Sequence, residues 1–242
     1  MYSPKIKRYQ KKFEYSYAFG AYPVLDLLKQ YPDKVYKIIL SRDGLSSDGI
    51  EEIGGICKEK NIFVEVNDRL IEKIAVKENT YVVGVFKKYE LHIQENENHV
   101  VLVNPSNMGN LGTIIRTMLG FGFRDLAIIR PGVDIFDPLV IRSTMGAIFK
   151  IRFEYFSSIE EYLERFPKQN KYAFMLKGSK SIKEIEFVKP YSIIQGNESK
   201  GLDSSYLNIG QSVYIPHGKE IDSLNLSVAT AISLWEASQK SR

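Results

Sequence analysis

The feature that most limits the fold of this chain is a recurring order in residues 99–242 of apolar run, glycine- or proline-bearing loop and helical segment. The clearest examples begin with the apolar runs at 100–103, 191–195 and 212–215. Apolar runs that alternate with helical segments predict a parallel sheet covered by helices. The loops that follow parallel strands gather at one edge, where ligands bind. We therefore expect an α/β fold with one site built from three loops.

A shorter alternating series precedes this region. Helices are predicted at 21–30, 47–60 and 68–75, and strands at 35–40, 61–66 and 80–86. Residues 87–98 are polar with little periodicity, which indicates a linker. We therefore predict a small α/β domain at 1–90, a linker at 91–98 and a larger domain at 99–242.

In the larger domain, strands are predicted at 100–103, 126–129, 151–155, 171–176, 192–195 and 212–215. Helices are predicted at 113–121, 138–146, 159–166, 204–207 and 224–240. Asp137 followed by Pro138 is a favourable helix start, a capping residue and then a proline at the first helical position. One face of the last helix is apolar and is expected to be core; it carries Leu224, Val228, Ala231, Ile232 and Trp235.

The composition indicates a globular protein of a reducing compartment. Of 242 residues, 44% are hydrophobic and 26% charged, and no apolar run approaches the ~18 residues that a membrane span needs. Cys57 is the single cysteine, so an internal disulfide is excluded. The three histidines and this cysteine lack the spacing of metal ligands. We expect a cytoplasmic protein without a metal.

The net charge of +4 is compatible with a nucleic-acid partner without identifying one. Five basic residues crowd the first dozen, interleaved with aromatic ones: Lys5, Lys7, Arg8, Lys11 and Lys12. Basic side chains can neutralise phosphates, and aromatic rings can stack on unpaired bases. Basic runs at a terminus are more often solvated and frayed, which is the interpretation we adopt from the sequence.

Two of the loops resemble phosphate-binding motifs only in part. Gly109 and Gly112 do not form the G-x-G-x-x-G fingerprint of dinucleotide-binding proteins. Gly196 and Gly201 have the glycine spacing of a P-loop, but the required lysine and hydroxyl residue do not follow. Nothing in this loop would reach a terminal phosphate or hold magnesium. Nucleotide hydrolysis is therefore disfavoured.

The polar residues of these loops have two interpretations each. Arg116 is predicted about one turn into a helix, where a cation opposes the helix dipole and so suggests an anion nearby; it could equally be a surface arginine. Glu198 could bind backbone N–H groups of its loop. Ser223 and Asn225 stand at a helix start, where both residue types are favoured simply as caps.

Taken together, the three segments resemble the ordered motifs of the SpoU (TrmH-type) RNA ribose methyltransferases, which belong to the SPOUT class. The resemblance rests on three stretches in register over about 140 residues: Asn110-Leu-Gly112 with Arg116, then Gly196-Asn-Glu198 with Gly201-Leu202, then Ile215-Pro-His-Gly218 with Ser223-Leu-Asn225. The residues Arg142–Phe149 are similar to the stretch between the family's first and second motifs. The amino-terminal α/β unit is similar to the RNA-binding domain that many members carry.

The resemblance implies a deep trefoil knot near the carboxyl end, S-adenosylmethionine (SAM) bound in the knot loops, a homodimer, and methyl transfer to a ribose 2′-hydroxyl of RNA. The residues that match the family's catalytic positions are Arg116, Asn110, Glu198, Ser223 and Asn225. Those that match its cofactor-binding positions are Gly196, Asn197, Gly201, Ile215, Pro216, His217, Gly218 and Leu224.

The separate amino-terminal domain favours ribosomal RNA as the substrate over transfer RNA. Two other functions remain open on the sequence. The strand, glycine loop and helix at 100–116 also suit a nucleotide-dependent oxidoreductase. The basic arm, residues 5–12, also suits a non-catalytic RNA-binding protein. The joint presence of Asn110, Arg116, Glu198 and Asn225 argues against that function.

Overall fold

The computed structural model of the chain describes residues 4–46, 48–76 and 79–240. The chain divides into two compact units. The first contains the described residues up to Tyr89 together with Asp134–Lys150, and the second contains Glu90–Val133 and the described residues from Ile151 onward. The domain boundaries predicted from the sequence place residues 134–150 in the larger domain instead.

Strands and helices alternate along most of the described chain. The strands are β1 (Tyr15–Phe19), β2 (Val35–Leu40), β3 (Val64–Val66), β4 (Val82–Lys87), β5 (His99–Val103), β6 (Asp125–Ile129), β7 (Arg152–Phe156), β8 (Asn170–Phe174), β9 (Lys180–Ser181), β10 (Tyr191–Gln195) and β11 (Gln211–Tyr214). The helices are α1 (Ala21–Gln30), α2 (Ile50–Glu59), α3 (Asp68–Ile74), α4 (Met108–Gly120), α5 (Pro138–Ser143), α6 (Ile159–Arg165) and α7 (Leu226–Lys240).

The first unit is built on a mixed sheet in the order β1-β4-β2-β3. β4 pairs antiparallel with β1 and β2, whereas β2 and β3 are parallel. β1 is not among the strands predicted from the sequence. All five of its residues are buried, and Ala18 stands where a half-buried strand would carry a polar residue, so the alternation is too short to predict a strand.

Residues 134–150 complete the core of the first unit. α5 packs on β1, and the 3-10 turn Ala147–Lys150 packs on α1. The rings of Phe136 and Phe149 lie 6.0 and 5.5 Å from that of Phe86, which is fully buried. If the chain were divided at residue 90, Phe86 would be separated from Phe136 and Phe149, and these apolar side chains would be exposed. The predicted boundary therefore does not separate two complete hydrophobic cores.

The second unit contains a seven-stranded sheet in the order β7-β6-β5-β10-β8-β11-β9. Every pair of neighbouring strands in it is parallel. The predicted α/β architecture with a parallel sheet is therefore confirmed. This order places β10 between β5 and β8, and β8 between β10 and β11. The loops after these four strands consequently lie side by side at one edge of the sheet.

The helix that carries the first motif begins earlier than predicted. α4 starts at Met108, where the Asn107 side chain caps it by accepting a hydrogen bond from the Asn110 N–H. Gly109 and Gly112 therefore lie inside the helix. Arg116 lies about two turns from its first residue, beyond the reach of the helix dipole. The helix dipole therefore gives no reason to expect an anion near Arg116.

The predicted core face of α7 is also wrong. Val228 and Trp235 are 47% and 52% exposed. The buried residues of this helix are Leu226, Thr230, Ser233, Leu234 and Ala237. Two buried hydroxyls lie on the true core face because Thr230 Oγ1 and Ser233 Oγ each donate to a carbonyl one turn earlier in the helix. The periodicity of apolar residues alone therefore predicts the wrong face of α7 as its core face.

The basic arm is packed rather than frayed over its described part. Ile6 is buried in the core of the first unit beside Tyr17, Ile71 and Val83. The residues on both sides of Ile6 are exposed. In the ranges 4–46, 48–76 and 79–240, no helix has the length and apolar character that crossing a membrane requires.

Candidate functional site

A cavity of about 650 Å³ opens at the carboxyl edge of the parallel sheet in the second unit. It is lined by the segments that follow β8, β10 and β11 and by the start of α7. Its volume lies in the range typical of pockets for small organic ligands. Nine of the predicted site residues line it: Gly196, Asn197, Glu198, Gly201, Ile215, Pro216, His217, Ser223 and Leu224.

The other four predicted site residues do not line this cavity. Two of them, Asn110 and Asn225, are joined to it by hydrogen bonds through Glu198. Gly218 is exposed, and a methyl group added there would meet no atom within 4 Å. Arg116 lies on the exposed side of α4.

The carboxylate of Glu198 ties the second motif to the loop before α4. Its Oε2 accepts from the N–H and the hydroxyl of Ser106, at 3.0 and 2.8 Å. Its Oε1 accepts from the N–H of Asn107 at 3.0 Å and from Nδ2 of Asn110 at 3.3 Å. Both carboxylate oxygens are therefore occupied by donors from another part of the chain.

These donors keep Glu198 ionised. Partial burial pushes the pKa of the carboxyl upward, but the hydrogen bonds from the Ser106 side chain and from the N–H groups of Ser106 and Asn107 outweigh it. The net pKa lies below the ordinary value of a glutamate. A carboxylate so engaged holds two loops together, and it is poorly suited to remove a proton from a substrate.

Asn110 and Asn225 extend this connection to the third motif. Nδ2 of Asn225 donates to Oδ1 of Asn110 at 3.2 Å. Oδ1 of Asn225 accepts from the N–H and the hydroxyl of Ser227, so Asn225 also caps α7, as expected of an asparagine at a helix start. A continuous hydrogen-bonded chain thus runs from Asn225 through Asn110 to Glu198 and joins all three motifs.

The second motif forms a tight loop at the cavity wall. Nδ2 of Asn197 donates to the Asn104 carbonyl at 2.7 Å, while its Oδ1 accepts from the N–H groups of Ser199 and Lys200. A Cβ on Gly196 would lie 2.2 Å from the carbonyl carbon of Gly201. Only glycine allows this approach, which brings backbone groups to the cavity in place of a side chain.

The third motif contributes His217 and Ser223 to the cavity wall. His217 is exposed, and its Nδ1 lies 2.8 Å from the Ile215 carbonyl. Ser223 is exposed as well and stands two residues before Asn225, the cap of α7. His217 therefore interacts with its own loop, and among residues 4–46, 48–76 and 79–240 no carboxylate is hydrogen-bonded to it.

Arg116 is the predicted catalytic residue that stands apart. Its side chain is exposed, and within the described residues no ion pair or hydrogen bond engages its guanidinium. An arginine is permanently charged, carries five N–H donors and binds phosphate and carboxylate groups well. It is free to meet an anion from outside the protein.

Several residues of this site are not predicted from the sequence. Ser106 and Asn107 supply most of the donors to Glu198, yet isolated serine and asparagine carry no distinctive spacing. Phe174 at the end of β8 and the segment after it, with Met175 and Lys177, line the cavity. Loops at the carboxyl ends of neighbouring parallel strands form ligand sites, so a known strand order would have identified this segment. That order is set by contacts between distant parts of the chain.

Comparison with known proteins identifies the class that this fold and site define. The profile described as the SpoU rRNA Methylase family matches residues 97–235. This match covers more than half of the chain, and it spans all three motifs. The chain belongs to the SpoU rRNA methylase family, so the predicted resemblance is confirmed.

Similar proteins include enzymes named for both ribosomal and transfer RNA. An uncharacterized tRNA/rRNA methyltransferase of Synechocystis sp. is 31% identical over 141 residues, which cover 57% of this chain and 52% of the relative. The chain therefore spans about half the length of that protein. A putative tRNA (cytidine(34)-2′-O)-methyltransferase of Listeria monocytogenes is 31% identical over 146 residues, or 58% of this chain and 86% of the relative.

Among solved structures, the AdoMet-bound rRNA methyltransferase from Sinorhizobium meliloti has a TM-score of 0.79 and 29% identity. The superposition covers 93% of this chain and 87% of that one. It thus extends well beyond the residues matched by the family profile.

Proposed function

We propose that this protein transfers a methyl group from SAM to a ribose 2′-hydroxyl of RNA. The observation that carries the proposal is the convergence of the three motifs on one cavity, with Asn225, Asn110 and Glu198 joined in one hydrogen-bonded chain beside it. Membership of the SpoU rRNA methylase family supports the same chemistry. An oxidoreductase and a non-catalytic protein have no comparable support.

The cavity fits the cofactor. SAM, when bound, supplies an electrophilic methyl group on a sulfonium. Apolar side chains such as Leu202, Ile215 and Leu224 line the cavity and suit an adenine ring. Gly196 leaves its backbone open to the cavity because a side chain would collide there. The loops around Gly196 and Ile215 would hold the cofactor largely through backbone groups.

The protein's own residues would align and stabilise the acceptor. A ribose hydroxyl is a weak nucleophile, so alignment and stabilisation of the developing alkoxide carry much of the catalysis. We assign to Arg116 the binding of the neighbouring phosphate and stabilisation of the oxygen, since a guanidinium does not act as a base. Asn110 orients the acceptor, and Glu198 and Asn225 are positioning residues that hold Asn110 in place.

Ribosomal RNA is the proposed substrate class. The superposition with the rRNA methyltransferase from Sinorhizobium meliloti covers 93% of this chain, which includes most of the first unit. The alignment with the tRNA methyltransferase relative covers 58% of this chain while using 86% of that protein. The transfer-RNA relative has little chain outside the shared region, whereas this chain has the first unit in addition. We propose that the first unit binds RNA. Transfer RNA remains the second candidate because that relative is equally similar over the shared region.

We further propose a homodimer and a knotted path through the carboxyl-terminal loops. The exposed apolar residues of α7, Val228 and Trp235, support the dimer because they present a hydrophobic face on the second unit. The sheet order, in which β10 lies between the earlier strands β5 and β8, is compatible with the knot.

The test is methyl transfer by the purified 242-residue chain. It is incubated with methyl-labelled SAM and, separately, with ribosomal and transfer RNA from cells that lack the protein. Label in alkali-resistant dinucleotides of ribosomal RNA is expected, because a 2′-O-methyl group blocks alkaline cleavage. Label confined to transfer RNA would move the substrate to the second candidate. Label in neither RNA, with folded protein, would contradict the proposed activity.

A further inference from the structure

The basic arm, defined as residues 5–12, follows a fixed path over the core of the first unit. Ile6 is 7% exposed and packs in the core, while Lys5 and Lys7 on either side are exposed. The Tyr15 hydroxyl donates to the Lys5 carbonyl at 3.0 Å, and the Tyr17 hydroxyl donates to the Lys7 carbonyl. Backbone groups and one apolar side chain therefore hold this part of the arm, and the lysine side chains are left free.

The other end of the arm is held in the same manner. Nζ of Lys88 donates to the Lys11 carbonyl at 2.8 Å, and the ring of Phe13 stacks on Tyr15 with centroids 5.0 Å apart. The Tyr9 hydroxyl bonds to Asp134, and the Lys88 ammonium lies over the Tyr9 ring. The rings of Tyr9 and Phe13 thus make contacts within the protein, which argues against their stacking on RNA bases.

The arm presents a concentrated positive charge. Its five basic side chains are exposed, and no acidic residue lies between Lys5 and Lys12. Among the residues that the structure describes, none of the five is in an ion pair with a carboxylate. Glu14, two residues beyond the arm, is exposed, and Asp134, which contacts the arm at Tyr9, is also paired with Lys88.

We propose that the arm is a phosphate-binding strip for the RNA substrate, with Lys5, Lys7, Arg8, Lys11 and Lys12 contacting the sugar–phosphate backbone. This inference rests on the proposed function and specifies where the first unit contacts its RNA. The backbone of the arm is ordered before binding, so little further ordering is needed on association. Contacts to phosphates supply affinity and register and leave base recognition to other parts of the protein.

Binding through phosphates has a measurable signature. Each phosphate neutralised by a basic side chain releases counterions. Each such contact changes the slope of the log association constant against the log salt concentration by about 0.7 for single-stranded nucleic acid. The affinity should therefore be similar for RNAs of different sequence and fall steeply with salt.

The experiment uses the full chain and a fluorescein-labelled oligouridylate as the probe. In the arm variant, the five basic residues of the arm are replaced by glutamine. In the control variant, with the same change in net charge, five exposed lysines elsewhere are replaced by glutamine: Lys58, Lys60, Lys168, Lys183 and Lys189. Affinity is measured across a salt series, SAM binding by calorimetry, and methyl transfer on ribosomal RNA.

The arm variant should fold, since the replaced side chains do not hold the arm. We expect its affinity for the oligouridylate to fall by about tenfold or more near 0.1 M salt, with a salt slope smaller by up to about 0.7 per lost contact. SAM binding should be unchanged, and the KM for ribosomal RNA should rise. The control variant should keep the salt slope of the natural chain.

Equal salt slopes and equal affinities in the arm and control variants would overturn the proposal. It would also be overturned if, at a salt concentration where the natural chain binds no RNA, the natural chain binds phosphatidylserine vesicles. If the natural chain methylates ribosomal RNA and the arm variant does so with the same KM and salt slope, the arm assignment fails and the proposed function stands. If the natural chain methylates no RNA, the proposed function fails, and the arm assignment fails with it.

A second variant separates a fixed arm from a merely charged one. Tyr15→Phe keeps every arm charge but removes the hydroxyl that holds the Lys5 carbonyl. We expect weaker oligouridylate binding with an unchanged salt slope, because the same contacts form from a less ordered arm. Unchanged affinity would contradict the role assigned to the fixed backbone.

Discussion

Individual residues of the site have contacts that the sequence indicates only in part. Asn225 was expected to be a helix cap, and it is one. The hydrogen bond that its Nδ2 donates to Asn110 joins residues 115 positions apart in the chain and has no local signal in the sequence. The family motifs identified both asparagines and Glu198 as members of one site. That Glu198 accepts five hydrogen bonds, and so acts as a connector, emerges only from the structure.

Arg116→Ala is the substitution that addresses the reaction itself. Arg116 is exposed and does not line the cavity, so SAM affinity should stay within about twofold of the natural value. Methyl transfer should fall by about 10²-fold or more, as expected for the loss of a group that stabilises a developing oxyanion. Calorimetry and single-turnover methyl transfer give the two quantities.

Arg116→Lys serves as the control. A lysine keeps the charge but loses the planar pair of donors, so transfer should recover only in part. Turnover of the alanine variant equal to that of the natural chain would remove Arg116 from the mechanism.

A buried histidine predicts a pH dependence of stability. His99 is fully buried, with Nδ1 2.7 Å from the Tyr162 hydroxyl and Nε2 2.7 Å from the Gln94 carbonyl. Burial lowers its pKa below the ordinary value, although the Gln94 carbonyl and Asp125 act in the opposite direction. Protonation therefore favours the unfolded state. The stability contributed by neutral His99 is complete above its unfolded pKa, about 6.5, and declines as the pH falls below it.

The comparison is between the natural chain and His99→Gln, followed by thermal unfolding from pH 8 to pH 5.5. The glutamine variant should be less stable at pH 8, and the difference between the two should shrink as the pH is lowered. Parallel pH profiles would show that His99 does not titrate on unfolding.

Elements were predictable where their periodicity is regular and local. The central strands of the second unit were found within a few residues because they are short apolar runs between turn signals. β9, with two residues, was missed. The start of α4 was placed too late because its glycines suggested a loop, although the Asn107 cap makes them helical. Membership of residues 134–150 in the first unit depends on contacts with β1, which the sequence does not reveal.

The turn after α5 offers a test of that packing. Gly146 has a φ of +94°, and a Cβ there would lie 2.3 Å from Oδ2 of Asp26. The other oxygen of Asp26 pairs with Lys150 at 2.6 Å. Gly146→Ala would strain the backbone and displace this pair, so we expect a loss of about 1–3 kcal/mol in unfolding free energy.

Gly54→Ala is the matched control, in the same unit. Gly54 lies inside α2, and an added Cβ meets no atom within 4 Å. Alanine should stabilise the helix there by about 0.5–1 kcal/mol. Chemical denaturation of both variants should give effects of opposite sign. Destabilisation by both would mean that substituting glycine, rather than the Gly146 turn, is responsible.

At the scale of the whole molecule, the exposed apolar face of α7 bears on assembly. Trp235 is 52% exposed, and a large exposed aromatic side chain favours an interface. If this face joins two copies of the chain, Trp235→Asp should shift the protein to the monomer at micromolar concentrations. Trp235→Phe, which keeps an aromatic ring, should leave the dimer largely intact. Sedimentation velocity distinguishes these outcomes, and a natural chain that sediments as a monomer would refute the dimer.

The measurement that tests the central claim most directly is a calorimetric titration of the folded, full-length chain with SAM. We expect one SAM bound per chain. Binding should be lost in Gly196→Ala, whose Cβ would collide with the backbone of Gly201, and kept in Gly120→Ala, where an added Cβ meets nothing within 4 Å. If the natural chain takes up no SAM, either alone or with ribosomal RNA present, the three loops do not form a methyl-donor site and the account is contradicted.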